Sequence, residues 1–394
     1  MKLKDLGLMQ PSGLNSKNGL PVKNGVVLTP EVLTQILSFR KRYKQNLNPE
    51  DENTYEQFLS PLWDEFVAHH GVRLVAGNFH QGLASSIIDA KPLTHYANRL
   101  ITSLGEIVIC TDIGGSRSRY KVNEDNYFVL AQENLVGIGV LDGAGGSKNG
   151  LLASQIATAG LSVSIPESPL AELFEKISEL VGLYAHDGYI HDVDEEVINT
   201  INGGYTAGVV ALIRNFGGEK VVEIGASGDS KVLTLRRGSQ GFYKAPEGTS
   251  AFQNMAQFEI DQGIYPAADI YIHPKLNILI GALGLRGESY LSPTFSTFIA
   301  CPGDGTRIIL GSDGIFDVIS EYELIQMANN FSNISDFHRA AFNLAILRHS
   351  DTDEFMIQHS KSYDIPKRVS SYEKSGYVYV RNGGDNITLA AMDL

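Results

Sequence analysis

Acidic residues beside small polar residues or glycine stand at the ends of apolar runs in this sequence. They fall in four short motifs: NED at 123–125, LDG at 141–143, SDG at 312–314 and GDN at 384–386. A carboxylate at the end of a buried strand costs free energy unless a cation pairs with it. Because the motifs themselves contain no Lys or Arg, a metal ion is the natural partner. The carboxylates are Glu124, Asp125, Asp142, Asp313 and Asp385.

The oxygen atoms of these motifs indicate which metal would bind. Mg²⁺ and Mn²⁺ prefer carboxylate, carbonyl and water oxygens. The five carboxylates carry five negative charges, of which two divalent ions would cancel four. Gly143 has no side chain, so its own carbonyl could reach a metal. A single Asp-Gly pair is usually an ordinary turn, but four acidic motifs at strand ends are hard to explain as turns. We therefore expect two ions, Mg²⁺ or Mn²⁺.

The elements that must position these residues begin near residue 106. From there, short runs of β-branched and aromatic residues predict strands, and Ser320 with Glu323 forms a capping box that opens a helix. Helices are predicted in pairs between groups of strands, which favours a layered α+β fold over a doubly wound parallel sheet. Residues 349–376 are polar and are predicted to form a surface insertion. The other predicted helices cover 150–160, 169–184 and 335–348.

The first part of the chain has a different pattern. A Thr-Pro pair at Thr29 is typical of a helix start. A second helix is predicted within 52–69, which contains the only tryptophan, Trp63. No catalytic motif lies in this part. We predict a mostly helical N-terminal extension over 1–104 and a catalytic domain over 105–394.

Composition excludes several classes of protein. Of the 394 residues, 43% are hydrophobic and 20% are charged, which is typical of a globular protein. The net charge of -13 disfavours binding to nucleic acid or to anionic membranes. Two cysteines give no disulfide framework, and no apolar run is long enough for a signal peptide or a membrane span. We expect a cytoplasmic protein, although a secretion route without a cleaved signal stays open. The oligomeric state is not predicted.

The motifs occur in an order that resembles a known family. The ordered series resembles that of the PP2C-type metal-dependent serine/threonine phosphatases, over about 106–394. That resemblance implies two antiparallel β-sheets packed as a sandwich and flanked by pairs of helices. The series is VNEDN (122–126), VLDGAGG (140–146), GGYTAG (203–208), ASGDSK (226–231), IGALG (280–284), GSDGIFD (311–317) and GGDNIT (383–388).

The resemblance also implies roles for the acidic residues. Asp142 resembles the aspartate that bridges two metals, and the Gly143 carbonyl would bind one of them. Asp313 and Asp385 resemble the remaining ligands of the other metal. The acidic pair before the first long strand would act on the second metal, directly or through water. The implied ligands are Glu124, Asp125, Asp142, Gly143, Asp313 and Asp385, and the implied catalytic residues are Arg119, Asp142 and Asp313.

The arginine that binds phosphate in the family is displaced here. It usually stands four residues before the Glu of the acidic pair, where this sequence has Tyr120. Arg119 lies one residue earlier and Arg117 three residues earlier. A local bulge could bring Arg119 into place. The alternative is that both arginines are exposed loop residues.

Three further features depart from the family or have a simpler explanation. Ala144 stands where many relatives have a His that acts as general acid. The Asp that some members use for a third metal is missing, and Asn199 and Asn202 are nearest to its position. Asp229, in ASGDSK, is predicted to be structural, because Gly228-Asp229 is typical of a hairpin turn.

These observations predict a metal-dependent phosphatase that acts on phosphoserine or phosphothreonine in proteins. Water held between two cations has a lowered pKa and would attack phosphorus in line. Two alternatives remain at this point. One is a catalytically weak pseudophosphatase that acts as a binding module, and the other is a hydrolase of a small phosphate ester.

Overall fold

A computed structural model gives the fold over most of the chain. It describes residues 20–21, 27–28, 73–76, 96–114, 123–144, 150–165, 168–184, 204–249, 259, 262–263, 279–285, 291–300, 303, 305–350, 355–358, 369–373, 377–380 and 385–394.

The described residues form strands and five helices. The strands are β1 Leu20–Pro21, β2 Val27–Leu28, β3 Arg73–Ala76, β4 Tyr96–Ile101, β5 Glu106–Asp112, β6 Asn126–Gln132, β7 Leu135–Gly143, β8 Thr206–Phe216, β9 Glu219–Ser227, β10 Lys231–Gly238, β11 Gly241–Lys244, β12 Thr294–Ala300, β13 Arg307–Gly311, β14 Phe355–Gln358, β15 Val369–Glu373, β16 Tyr377–Val380 and β17 Ile387–Asp393. The helices are α1 Gly150–Ser164, α2 Leu170–Tyr184, α3 Asp313–Phe316, α4 Glu321–Asn330 and α5 Ile334–Ser350.

Two six-stranded sheets make up the body of the protein. Sheet I has the order β11-β10-β13-β17-β5-β4, and sheet II has the order β12-β9-β8-β7-β6-β3. Neighbouring strands are antiparallel in sheet I and in sheet II. The predicted α+β class with two antiparallel sheets is therefore confirmed.

The sheets form a sandwich because their strands are apolar on both faces. In β5, Ile107 and Ile109 join the core between the two sheets. Val108 and Cys110, on the opposite face of the same strand, join a second core under α3, α4 and α5. Alternating residues of a strand point to opposite faces, so one strand contributes to both cores. On sheet II, α1 packs on β7 and β6, and α2 packs on α1 and β9. A pair of helices thus covers the outer face of each sheet, as predicted.

Two strands from the first hundred residues belong to the sandwich. β3 pairs with β6 at one end of sheet II, and β4 pairs with β5 at one end of sheet I. The helices predicted near Thr29 and within 52–69, with Trp63, lie outside the described residues. The division of the chain at residue 104 stays a prediction.

The helix predictions hold within a few residues. Ser320 accepts a hydrogen bond from the Glu323 backbone N–H, and the Glu323 side chain accepts one from the Ser320 N–H, both at 3.1 Å. The predicted capping box therefore opens α4. The described helices include none with the length and hydropathy needed to cross a bilayer.

The segment predicted as a polar surface insertion contributes two strands, β14 and β15, to a small sheet that β16 completes. β14, β16 and β15 pair in that order as an antiparallel sheet. The start of the predicted insertion was wrong, because His349 belongs to α5 and is fully buried. A polar residue at a helix end suggested exposure, whereas the packing of α5 on sheet I buries it.

Candidate metal centre

The acidic motifs meet where strands of both sheets end. Glu124 and Asp125 precede β6, and Asp142 lies near the end of β7, so both motifs belong to sheet II. Asp313 begins α3 just after β13, and Asp385 lies shortly before β17, so both belong to sheet I. The sandwich therefore brings acids from distant parts of the chain to one end.

Three carboxylates are close enough to share an ion. One carboxylate oxygen each from Asp142, Asp229 and Asp313 lies within 4.8 Å of the other two. Burial of the Asp142 carboxyl, followed by the nearby Asp313, raises the pKa of Asp142 well above its usual range. The carboxylates of Asp125, Asp229 and Asp385 raise it further. Four other carboxylates thus act electrostatically on Asp142.

Glu124 and Asp125 are also perturbed. Asp125 is fully buried, and this burial raises its pKa to about 7, against the opposing effect of hydrogen bonds to Ser312 and Thr388. Burial, and then the Asp125 charge, raise the pKa of Glu124 to about 7. Each group would ionise more readily beside a cation, since an opposite charge nearby favours the charged form.

Close backbone packing fixes the end of β7. A Cβ atom at Gly143 would lie 2.6 Å from the Gly150 carbonyl carbon and 2.8 Å from the Glu124 carbonyl oxygen, which leaves room only for glycine. The Thr206 hydroxyl donates a hydrogen bond of 2.6 Å to the Asp142 carbonyl. The Asp142 backbone is therefore held on both sides, by Glu124 and α1 on one and by β8 on the other.

The two acidic motifs of sheet I, at Asp313 and at Asp385, are packed as tightly against each other as the end of β7 is against its neighbours. A Cβ atom at Gly314 would lie 1.8 Å from the Asn386 carbonyl oxygen, so only glycine lets these loops meet. Asn386 then links both sheets, because its Oδ1 accepts a hydrogen bond of 2.8 Å from the Glu124 N–H. Its side-chain amide also donates to the Ile113 carbonyl at 3.2 Å.

The predicted hairpin at Gly228-Asp229 is wrong. A hairpin was predicted at Gly228-Asp229, but β9 belongs to sheet II and β10 to sheet I, so the segment crosses between the sheets. The Gly-Asp pair has the same local signature in both cases, and only the strand partners distinguish them. The crossing places the Asp229 carboxylate beside Asp142 and Asp313.

Several residues from the sequence analysis lie outside the described part of the chain. These are Arg117, Arg119, Tyr120, Asn199 and Asn202. Ala144 is described and is 7% exposed. Its backbone N–H donates to the Tyr205 carbonyl at 3.0 Å. Its methyl group offers no proton donor.

The donor set suits a hard divalent cation. The grouped side chains offer only carboxylate oxygens, which Mg²⁺ and Mn²⁺ prefer. Burial and then the neighbouring carboxylates raise the pKa of Asp142, so its charged form is disfavoured without a counter-ion. Bound cations would favour the charged form, so the residues fit the metals predicted from the sequence.

Known proteins are similar to this chain in sequence and in fold. No family model matches the chain. Protein phosphatase PhpP of Streptococcus pneumoniae is 24% identical over 237 residues, covering 59% of this chain and 87% of the relative. The serine/threonine phosphatase stp of Listeria monocytogenes is 25% identical over 226 residues, covering 54% and 80%. A Streptococcus pyogenes protein, assigned to the protein phosphatase 2C type, is 24% identical and is covered over 99% of its length.

The chain is similar in sequence to PP2C-type serine/threonine phosphatases. The resemblance drawn from its motifs, and with it the expectation of a protein phosphatase, is confirmed by these relatives. Solved structures share the PP2C-type fold. The serine/threonine phosphatase Stp1 from Staphylococcus aureus gives a TM-score of 0.52 at 19% identity, covering 76% of this chain and 99% of that one. A bacterial serine phosphatase gives 0.51 at 18% identity, covering 73% and 97%.

Proposed function

We propose that this PP2C-type protein hydrolyses phosphoserine and phosphothreonine in proteins with the help of two Mg²⁺ or Mn²⁺ ions. The observation that carries the proposal is the acidic group at the end of the sandwich. It combines Asp142 of sheet II with Asp313 of sheet I within 4.8 Å, in a chain whose relatives are named serine/threonine phosphatases.

The number of negative charges around Asp142 supports two bound ions rather than one. Four nearby carboxylates each raise the pKa of Asp142 electrostatically; they belong to Asp313, Asp125, Asp229 and Asp385. One divalent ion would leave most of this charge uncancelled. We propose that Asp142 would help to hold both ions and that Asp313 and Asp385 would complete one site. Glu124, Asp125 and the Gly143 carbonyl would serve the other.

Other residues of the site would hold the metal ligands in place and orient the substrate. Bound cations would supply hydroxide from water near neutral pH and stabilise the charge that develops on the phosphoryl oxygens. The Asp142 backbone, fixed by Thr206, keeps its carboxylate at the meeting point of the sheets. We further propose that Arg119 grips the phosphoryl group, because a planar guanidinium forms bidentate contacts with it. A phosphorylated protein is the proposed partner. The expectations of no nucleic acid, no membrane and a cytoplasmic location stay predictions.

Ala144 favours a second candidate. Expulsion of a serine alkoxide is normally assisted by a general acid, which is typically worth about 10²–10⁴-fold in rate. The side chain at position 144 cannot donate a proton. A catalytically weak protein that binds phosphoproteins is therefore the alternative, and a hydrolase of activated or small phosphate esters is another.

The test compares substrates and metals on the full chain. Rates would be measured on a phosphoserine peptide, on p-nitrophenyl phosphate and on small phosphate metabolites, with Mn²⁺, with Mg²⁺ and after exhaustive chelation. We expect metal-dependent turnover of the peptide. Asp142→Asn should lower that turnover by more than the roughly 10–100-fold typical of residues outside the ligand shell. Asp336→Asn, which alters an exposed acid on α5, is the control for a lost charge.

The remaining outcomes would exclude the metal mechanism or indicate a different function. Full activity after chelation would exclude the metal mechanism. Turnover of small esters without turnover of the peptide would indicate the small-ester hydrolase. Metal binding without turnover of any substrate would indicate the pseudophosphatase.

A further inference from the structure

His349 lies at the base of the candidate metal centre, and the motif series does not include it. It stands in the last turn of α5, the helix that packs on β17 and β5 of sheet I. Phe337, Phe342 and Ala345 anchor this helix in the core. His349 itself is fully buried, so its ring has a fixed place beneath the acidic loops.

Both ring nitrogens of His349 bind backbone groups of the acidic motifs. Nε2 lies 2.6 Å from the Gly314 carbonyl oxygen. The Asp385 N–H donates to Nδ1 at 3.2 Å. A carbonyl can only accept and an N–H can only donate, so Nε2 carries the proton and Nδ1 does not. Both ends of the imidazole are thereby satisfied in its neutral form.

These two bonds join the loops that carry Asp313 and Asp385. Gly314 follows Asp313 directly, and the other bond is made by the backbone of Asp385 itself. The loops already touch, since no Cβ would fit at Gly314 beside the Asn386 carbonyl. A rigid ring bonded to both loops sets their separation and their direction towards the acidic group.

The covalent connection from α5 to Asp385 does not provide this restraint. Between His349 and Asp385 it leaves the sandwich to form the small sheet of β14, β15 and β16. In the sequence, Asp385 therefore follows an insertion, although the residue that it contacts belongs to α5. The hydrogen bond from the Asp385 N–H to His349 links the end of the insertion to α5.

We infer that His349 is a positioning residue for the metal centre, which holds the backbones of Asp313 and Asp385 at the separation that metal binding requires. This inference rests on the proposed function. Partners of ligating groups typically change metal affinity or activity by about 10–100-fold when they are removed. A histidine that only stabilised the fold would lower the melting temperature without a selective effect on metal affinity.

The chain provides a matched control. His338 lies on the same helix, is 2% exposed, and its Nε2 donates to the Leu389 carbonyl at 2.8 Å. It is thus a second buried histidine bonded to the backbone of sheet I, but its partner lies within β17 rather than in an acidic loop. His338→Ala removes a comparable volume and one hydrogen bond.

The experiment measures Mn²⁺ binding to the metal-free full chain by isothermal titration calorimetry, at one pH, with melting temperatures recorded under chelation. We expect His349→Ala to raise the Kd for Mn²⁺ by about 10–100-fold, and His338→Ala to leave it unchanged although both lower the melting temperature. His349→Asn can restore the acceptor near Nδ1, and His349→Gln the donor near Nε2. Each should recover part of the affinity.

The outcomes separate this inference from the proposed function. If the wild-type chain binds no Mn²⁺, the proposed metal mechanism fails and the inference fails with it. If the wild type binds Mn²⁺ and His349→Ala binds it equally well, only the inference is overturned. An equal loss of affinity in His338→Ala would also overturn it. Should His349→Ala not fold, wild-type affinity in His349→Gln, which lacks the acceptor for Asp385, would overturn it instead.

Discussion

At the scale of single residues, the candidate metal centre is a set of like charges that the fold brings together. Asp142 is affected by four other carboxylates, and burial raises the pKa of Asp125 to about 7. Ionised carboxylates in this setting destabilise the folded chain unless cations bind. Stability without metal and affinity for metal should therefore respond in opposite directions when one of these charges is removed.

Asp229 provides the sharpest test of that opposition. Asp229→Asn should raise the melting temperature of the metal-free chain, because it removes one charge from the group around Asp142. The same change should weaken Mn²⁺ binding measured by calorimetry. Asp317→Asn, at a buried acid that ends α3, is the control. If Asp229 only shapes the crossing between sheets, its replacement would instead lower the melting temperature and leave Mn²⁺ binding intact.

His338 should make stability depend on pH. Burial lowers its pKa to about 4, from 6.5 in the unfolded chain. Between these values the unfolded chain binds a proton that the folded chain does not, so the stability contribution is complete above pH 6.5 and falls as the pH drops towards 4. The total is about 3 kcal/mol, at 1.36 kcal/mol for each pH unit.

The measurement is the free energy of urea unfolding, under chelation, at several pH values within that window. His338→Gln keeps an N–H donor for Leu389 but cannot titrate there. The slope of stability against pH should be smaller in the variant than in the wild type. Taking the difference cancels the contributions of the acidic residues. Parallel curves for the two proteins would contradict the assignment.

At the scale of elements, Arg307 joins the start of β13 to the end of β17. Its guanidinium donates to both Asp393 carboxylate oxygens, at 2.6 and 2.8 Å. It also donates to the Phe331 and Ser332 carbonyls. The guanidinium carbon lies 4.8 Å from the ring centre of Phe242. The Arg307 side chain is fully buried, so its charge depends on these partners.

Removal of one partner should therefore be costly. We expect Asp393→Asn to lower the free energy of unfolding by about 3 kcal/mol, at the low end for such pairs because Asp393 is partly exposed, since the buried Arg307 loses its counter-charge. Urea unfolding at neutral pH measures the change. Asp336→Asn breaks an exposed pair with Arg339 and should cost less than about 1 kcal/mol. Equal effects of the two substitutions would show that the Arg307 pair contributes no more than a surface contact.

At the scale of the whole molecule, the sandwich includes strands that come before residue 104. β3 and β4 complete the ends of sheets II and I. Leu100 of β4 and Leu104 are buried in the core between the sheets, at 2% and 1% exposure. Loss of these strands would expose the backbone of β5 and β6 along one side.

Truncation tests how much of the early chain the sandwich needs. A chain that begins at Leu104 should be less stable than one that begins just before Arg73. Loss of the Leu100 side chain alone should cost about 2–5 kcal/mol. Urea unfolding of both truncated chains, together with their turnover of p-nitrophenyl phosphate, makes the comparison. Equal stability would support an independent unit that begins near residue 104.

The sequence by itself determined the features that depend on short spacing. The capping box of Ser320 and Glu323 requires two residues three positions apart, so the spacing was enough to predict it. The acids beside β6, β7, β13 and β17 were identified in the same way, because an acid next to an apolar run marks the end of a strand. Short runs of β-branched and aromatic residues likewise predicted strands.

Only the tertiary structure decided which strand ends meet. β10 pairs with β13 rather than with β9, which moves Asp229 from a predicted hairpin into the acidic group. His349 binds Gly314 and Asp385 because α5 packs on sheet I, and no pattern within α5 indicates those partners. Strand order and helix docking are set by long-range packing of apolar faces, which many local sequences satisfy equally well. A side chain whose role depends on that packing therefore has no signature in the sequence around it.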